Sequence, residues 1–139
     1  AYMTSGNIAV FDHDALRHID YVSQYEDIFN LATDESRAFH QRVRDDIAAK
    51  QPGDPDTESV LKLKGLIRKT EATTAAAAAG VPGEKLRFLD LPFYQTGKVT
   101  KRPVGEADVA IVADLLRDLN PAQIYVAGDL SDPHPDSFG

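Results

Sequence analysis

Leu86-Arg87-Phe88-Leu89-Asp90-Leu91-Pro92 is the stretch on which the fold reading turns. It is a short, mainly apolar run closed by a proline that cannot donate to a hydrogen-bond ladder, which fits a largely buried strand. Working outward, Ala1 to Thr4 are apolar and β-compatible and enter Ser5-Gly6-Asn7, loop chemistry typical of a strand end. Ile124-Tyr125-Val126-Ala127 is a third such run, entering the polar loop Gly128 to His134. Helical patterns separate the three runs. Strands alternating with helices imply crossover connections and hence an α/β fold with a mostly parallel sheet. Ligands of such sheets bind outside the strand carboxyl ends, which puts Ser5-Gly6-Asn7, Asp90 to Tyr94 and Asp129 to His134 on one candidate rim.

The helices announce themselves by period and by punctuation. Asp12 and Asp14 precede Ala15 to Val22, where Leu16 and Ile19 begin an apolar stripe behind an acidic start. From Ser36, Phe39, Val43 and Ile47 recur every four residues, one buried face of an exposed helix that could extend back through Ile28, Phe29 and Leu31. Gln51-Pro52-Gly53-Asp54-Pro55-Asp56 then interrupts helical hydrogen bonding, and Asp56 or Thr57 can cap the next helix. That helix is expected to be long, from about Glu58 to Ala79 on the stripe Val60, Leu63 and Ile67, stopped by Gly80 and Pro82. Pro92 to Pro103, with Lys98, Lys101 and Arg102, reads as a solvated basic loop. Glu106 to Asn120 is the clearest helix, with Val109, Val112, Leu115, Leu116 and Leu119 on one side and Pro121 beyond its end.

Composition removes several functions. The chain has 139 residues, enough for one domain, residues 1–139. With 22 acidic against 15 basic residues the net charge is -7, which disfavours phosphate-backbone binding, so no nucleic-acid partner is expected. There is no cysteine, so disulfides, thiolate metal sites and cysteine nucleophiles are excluded. No run approaches the roughly 20 apolar residues of a membrane span, and a cytoplasmic location is expected. Neither a G-x-G-x-x-G nor a P-loop motif occurs, nor a G-x-S-x-G elbow, an H-E-x-x-H helix or an EF-hand. Carboxylate and histidine chemistry is what remains.

Asp12-His13-Asp14 superficially suggests a hard-metal cluster, but adjacent residues on a helix point in different directions, so a capping role is expected. His18 and His40 have no partner ligand one turn away and read as structural or solvated. Arg68 and Glu71, three apart, form an intrahelical pair or leave Arg68 to face a polar substrate. Tyr94 is a loop anchor or a substrate wall. Asp129, Asp132 and His134 come after a strand end and can supply metal ligands or an acid/base pair, or form a simple polar turn.

Five blocks carry a resemblance over nearly the whole chain: Thr4 to Asp12, Leu63 to Ala72, Ala79-Gly80-Val81-Pro82, Phe88 to Tyr94, and Ile124 to His134. Together they resemble the LmbE/PIG-L family of zinc-dependent de-N-acetylases, in the branch associated with glucosamine-6-phosphate deaminase. The resemblance implies a Rossmann-like sheet with flanking helices and hydrolysis of the N-acetyl group of an amino-sugar conjugate. Zinc would lower the pKa of a bound water and polarise the amide carbonyl while a carboxylate accepts the proton. It implies His134 and Asp132 as catalytic residues, Arg68, Tyr94 and Asn7 as substrate contacts, and an amino sugar as the small-molecule partner. Two departures accompany it. The family's first motif, His-Pro-Asp-Asp, belongs before residue 1 together with the first strand, and is absent. The later loop, Asp-Pro-His-Gly-Thr-His in the family, is Asp132-Pro133-His134-Pro135-Asp136-Ser137 here, so Ser137 takes the place of a zinc ligand and Asp136 is the remaining candidate. His134-Pro135-Asp136 itself resembles the core of the first motif. That fits a truncated or rearranged chain, or else a homo-oligomer in which one copy completes another's site and its open sheet edge. The alternatives are a sugar-binding or assembly domain that has lost its metal site, and a domain accompanying glucosamine-6-phosphate deaminase.

Overall fold

The computed structural model describes residues 1–98 and 100–126. Four α-helices carry it: α1 Asp12–Ile28, α2 Asp34–Ala49, α3 Glu58–Ala78 and α4 Glu106–Leu119, with single 3-10 turns at Asn7–Ala9 and Gly83–Lys85. Asp12 and Asp14 sit in the first turn of α1, where carboxylates complement the helix dipole. This helix runs past Val22 to Ile28, so Ile28 belongs to it and not to the next one. Asn30, at φ 55°, and the bond from Leu31 N–H to the Glu26 carbonyl (2.8 Å) close its end. Thr33 and Ser36 cap α2 reciprocally: Thr33 Oγ1 accepts from Ser36 N–H (3.1 Å) and Ser36 Oγ accepts from Thr33 N–H (3.0 Å). α3 ends one residue before the expected Ala79, and α4 ends where Asn120 turns left-handed ahead of Pro121.

The expected mostly parallel, Rossmann-like sheet is not formed. Among the described residues β pairing consists of one parallel bridge, Tyr2 with Phe88. Tyr2 N–H donates to the Arg87 carbonyl (2.7 Å), and Leu89 N–H to the Tyr2 carbonyl (2.9 Å). The next bond slips: Leu91 N–H reaches Met3 O at 2.9 Å. Asp90 takes φ 46°, outside extended geometry, so the ladder stops after one bridge, and Pro92 comes soon after. The third expected strand fares no better, since Ile124–Val126 is exposed and has no backbone partner among the described residues. The fold is helical, not α/β, with a short extended pair laid against it. A short, mainly apolar run is compatible with a buried parallel strand, but it forms one only with neighbours on both edges.

What holds the helices is one interior shared by α1, α2 and α3. Ile19, Val43 and Val60 form a buried cluster into which Phe39, Ile47 and Leu63 pack. Val10, Ala15 and Ile67 form a second cluster that borrows Ile47 and Leu63, so the two are continuous. A separate cluster of Leu91, Phe93 and Tyr94 joins the extended pair to Ile111 and Val112 of α4.

Asp108 fixes α4 to the preceding loop. Its carboxylate is buried and accepts from Gly105 N–H (2.8 Å) and Phe93 N–H (2.9 Å). The bonds from Gly105 and Phe93 outweigh desolvation and hold its carboxyl below the usual 3.8. A depressed carboxyl stabilises the fold above the unfolded value and loses that contribution as pH falls through the folded value. Asp108→Asn, whose amide can accept from only one of these donors, should therefore lower the urea midpoint at neutral pH. The gap to wild type should close below pH 3.8; a gap that persists unchanged in acid would refute this origin.

Candidate functional site

Where α3 crosses the segment 5–7 the surface opens into a cleft of about 700 Å³. The sequence builds it by close approach. Gly6 is left-handed (φ 64°), and a Cβ there would stand 3.3 Å from Arg68 Nε, so only glycine lets Arg68 lie across the turn unhindered. Gly65, one helical turn earlier on α3, faces Ser5 and Asn7, with a notional Cβ 3.9 Å from each of their Cβ atoms. Asn7 lines the cleft at 5% exposure, and its Oδ1 has no hydrogen-bond partner among the described residues. A buried acceptor without a donor costs about 1–3 kcal/mol, a deficit that a donor from a bound molecule removes.

Around this centre the lining is charged and aromatic, with Lys62, Arg68 and Lys69 beside the carboxylates of Glu58 and Asp90. Arg68 is half exposed and pairs with Glu71, as the three-residue spacing allows, while still lining the cleft. Lys69 Nζ lies 5.1 Å from the Phe88 ring centroid, and Phe88 stacks on Tyr2 at 5.1 Å with 9° between planes. Gln95 Nε2 donates to Ser5 Oγ (3.1 Å) at the rim. Cations on one side, amides at the base and an aromatic wall suit a small hydroxylated ligand that carries an anionic group.

Of the expected site residues, Asn7 and Arg68 therefore come together. Tyr94 does not join them: it is 4% exposed in the cluster with Leu91 and Phe93, beneath Lys101 Nζ at 5.2 Å. Asp132, His134 and Asp136 lie outside the described residues. Among the described residues no three His, Asp or Glu side chains converge on a point that could hold a metal ion. His13 Nε2 is 3.7 Å from Asp14 Oδ2, but Asp12 turns away to two ammonium groups, so Asp12-His13-Asp14 does not fit zinc. His18 Nδ1 is bonded to the Asp14 carbonyl oxygen (2.7 Å), and His40 is buried on α2.

Sequence reasoning misses a charged cluster. Lys64 is only 3% exposed, and its Nζ lies 2.7 Å from Asp12 Oδ1 and 2.6 Å from Asp56 Oδ2. Lys50 Nζ touches the same two carboxylates at 2.7 and 2.8 Å. A signal exists: Lys64 falls between Val60 and Ile67 on the buried face of α3, a place a lysine occupies only with counter-charges.

A curated protein of Bacteroides thetaiotaomicron described as a glucosamine-6-phosphate deaminase-like protein is 47% identical over 135 residues, 96% of this chain and 20% of that protein. No family model matches the sequence, so the LmbE/PIG-L resemblance gains no support from that side. No solved structure matches it either. No helix among the described residues is long and apolar enough to cross a membrane. The chain is thus similar to a segment of a glucosamine-6-phosphate deaminase-like protein, and it spans about one fifth of that relative's length.

Proposed function

We propose that this chain is a sugar-recognition segment accompanying a glucosamine-6-phosphate deaminase-like enzyme, and that its cleft holds a phosphorylated amino sugar. The observation that carries the reading is the meeting of Asn7, with its unpartnered buried carbonyl, and Arg68 across Gly6 in one cleft. Asn7 would accept from a sugar hydroxyl or ammonium group, and Arg68 with Lys69 would take the phosphate. The relative's description names the same class of compound. Removal of an N-acetyl group would draw on Asp132, His134 and Asp136 with zinc, a set that the described residues do not supply.

Calorimetric titration with glucosamine 6-phosphate, glucosamine and inorganic phosphate tests the proposal. The phosphorylated sugar should bind most tightly. Arg68→Ala should weaken it roughly 10- to 100-fold, the worth of a hydrogen bond to a charged group. The far-UV circular dichroism should stay unchanged, because Arg68 is half exposed and, among the described residues, its ion pair is with Glu71 one turn along the same helix. Absence of heat with all three ligands, or equal affinity for the Arg68→Ala variant, would overturn it.

A further inference from the structure

The two walls of the cleft between α3 and residues 5–7 differ in charge. Its basic groups, Lys62, Arg68 and Lys69, all belong to α3, whereas Asp90 lines it from the extended segment whose Phe88 bridges to Tyr2. The other lining carboxylate, Glu58, is engaged on α3 itself by Lys62 Nζ at 2.6 Å. Asp90 is therefore the acidic group that the extended pair supplies. At the base Asn7 adds a neutral acceptor, 5% exposed, whose Oδ1 has no donor among the described residues.

The backbone on both sides fixes Asp90 in this position. Leu89 N–H donates to the Tyr2 carbonyl and Leu91 N–H to the Met3 carbonyl, each at 2.9 Å, and the residue between them is held at φ 46°. Aspartate and asparagine tolerate that left-handed conformation better than most side chains, because their short polar groups can bond locally. A carboxylate on a fixed backbone loses little freedom when a ligand arrives, which lowers the cost of binding.

A ligand matched to both walls carries an anion at one end and a cation at the other. Phosphate answers Arg68 and Lys69; the complement of Asp90 is a group that brings positive charge and several N–H donors. A protonated amine brings both. A hydroxyl offers one neutral donor, and an acetylated amine offers one neutral N–H with added bulk, so neither adds the attraction of opposite charges.

We infer that Asp90 is the specificity-determining residue of the cleft: together with the Asn7 carbonyl it receives the ammonium group of an amino-sugar phosphate, and so selects the free amine over the hydroxyl and N-acetyl forms of the same phosphosugar. The inference rests on the reading of the cleft as a phosphosugar site and adds to it the group that tells one phosphosugar from another.

Calorimetric titration with glucosamine 6-phosphate, glucose 6-phosphate and N-acetylglucosamine 6-phosphate, in mildly acidic buffer that keeps the sugar's amine protonated, gives the test. The wild-type chain should bind the free amine about 10- to 100-fold more tightly than the other two, the worth of a hydrogen bond to a charged group. Asp90→Asn removes the charge and keeps a residue at home in the left-handed region, so the circular dichroism should hold while most of the preference disappears, through weaker binding of glucosamine 6-phosphate. Arg68→Ala should weaken all three sugars alike and leave their ratio unchanged, which separates reading of the amine from the grip on phosphate. Equal wild-type affinity for glucosamine 6-phosphate and glucose 6-phosphate, or a preference that survives Asp90→Asn, would overturn the inference and leave phosphate recognition by Arg68 standing. Absence of heat with all three sugars would overturn both.

Discussion

Replacing Lys64 by methionine should cost the fold about 3 kcal/mol, read as a lower urea midpoint with an unchanged slope. Lys64, Lys50, Asp12 and Asp56 alternate in sign around a closed ring in which every contact is 2.6–2.8 Å. The ring ties the start of α1 to the residue after α2 and to the turn before α3, places where three segments converge and helix ends need fixing. Removing one buried charge from a paired group costs about 3–5 kcal/mol, mostly the desolvation of the partner left behind. Lys50 remains to serve both carboxylates, and Asp12 is 36% exposed, so the lower end applies. A loss under about 1 kcal/mol would mean that water reaches the ring freely. Adding Asp56→Leu to Lys64→Met restores a balanced Lys50–Asp12 pair and should recover part of the loss, a coupling that a double-mutant cycle measures.

The same ring has a pH signature. Burial pushes the Asp12 carboxyl up, but hydrogen bonds and charges from Lys50 and Lys64 more than offset it, leaving the carboxyl below its ordinary 3.8. Burial pushes the Lys50 ammonium down, and Asp12 and Asp56 more than offset that, leaving it above 10.5. The Asp12 contribution is present above pH 3.8 and lost as pH falls through its lower folded value. The Lys50 contribution is present below pH 10.5 and lost as pH rises through its higher folded value. The stability gap between wild type and Lys64→Met should accordingly be level through the neutral range and narrow at the acid end.

The helices are legible in the sequence because their signals are local. Gly80 and Asn120, both at positive φ, stop α3 and α4 within a residue of where composition places the ends. The exception is instructive. Val22 gives no reason to continue α1, yet Glu26 turns inward near His40, with Oε2 and Nε2 4.0 Å apart, and the helix runs on to Ile28. The sheet fails because its evidence is non-local: the run Leu86–Leu91 says that a segment is apolar and says nothing of what lies on its two edges. Asp90, which the sequence places at the start of the candidate rim, takes a left-handed backbone that ends the pairing. At the site, Arg68 and Asn7 can be named, whereas their meeting across Gly6 depends on the crossing of α3 over residues 5–7, which no spacing encodes. Tyr94 is open to two readings in the sequence, a loop anchor or a substrate wall, and its burial with Leu91 and Phe93 is what an anchor requires.

Truncating Ile19 to alanine should cost about 3–4 kcal/mol, the second large loss expected anywhere in the chain. Ile19 is 3% exposed on α1 and meets Val43 of α2 and Val60 of α3, both below 2% exposure, in a cluster to which all three helices contribute. Deleting three carbons there removes their transfer free energy, about 0.8 kcal/mol per group, and leaves a cavity whose walls cannot close, because each belongs to a different helix held by the Lys64 ring. Ile19→Val, which removes one methylene, should cost about 1 kcal/mol. Leu66→Ala on the outer face of α3, at 60% exposure, should cost under about 0.5 kcal/mol. The ordering of these three variants in urea melts is the informative result. Were Ile19→Ala no worse than Leu66→Ala, the three helices would not share a common interior, and the crossing of α3 that places Arg68 over Gly6 would lose its support.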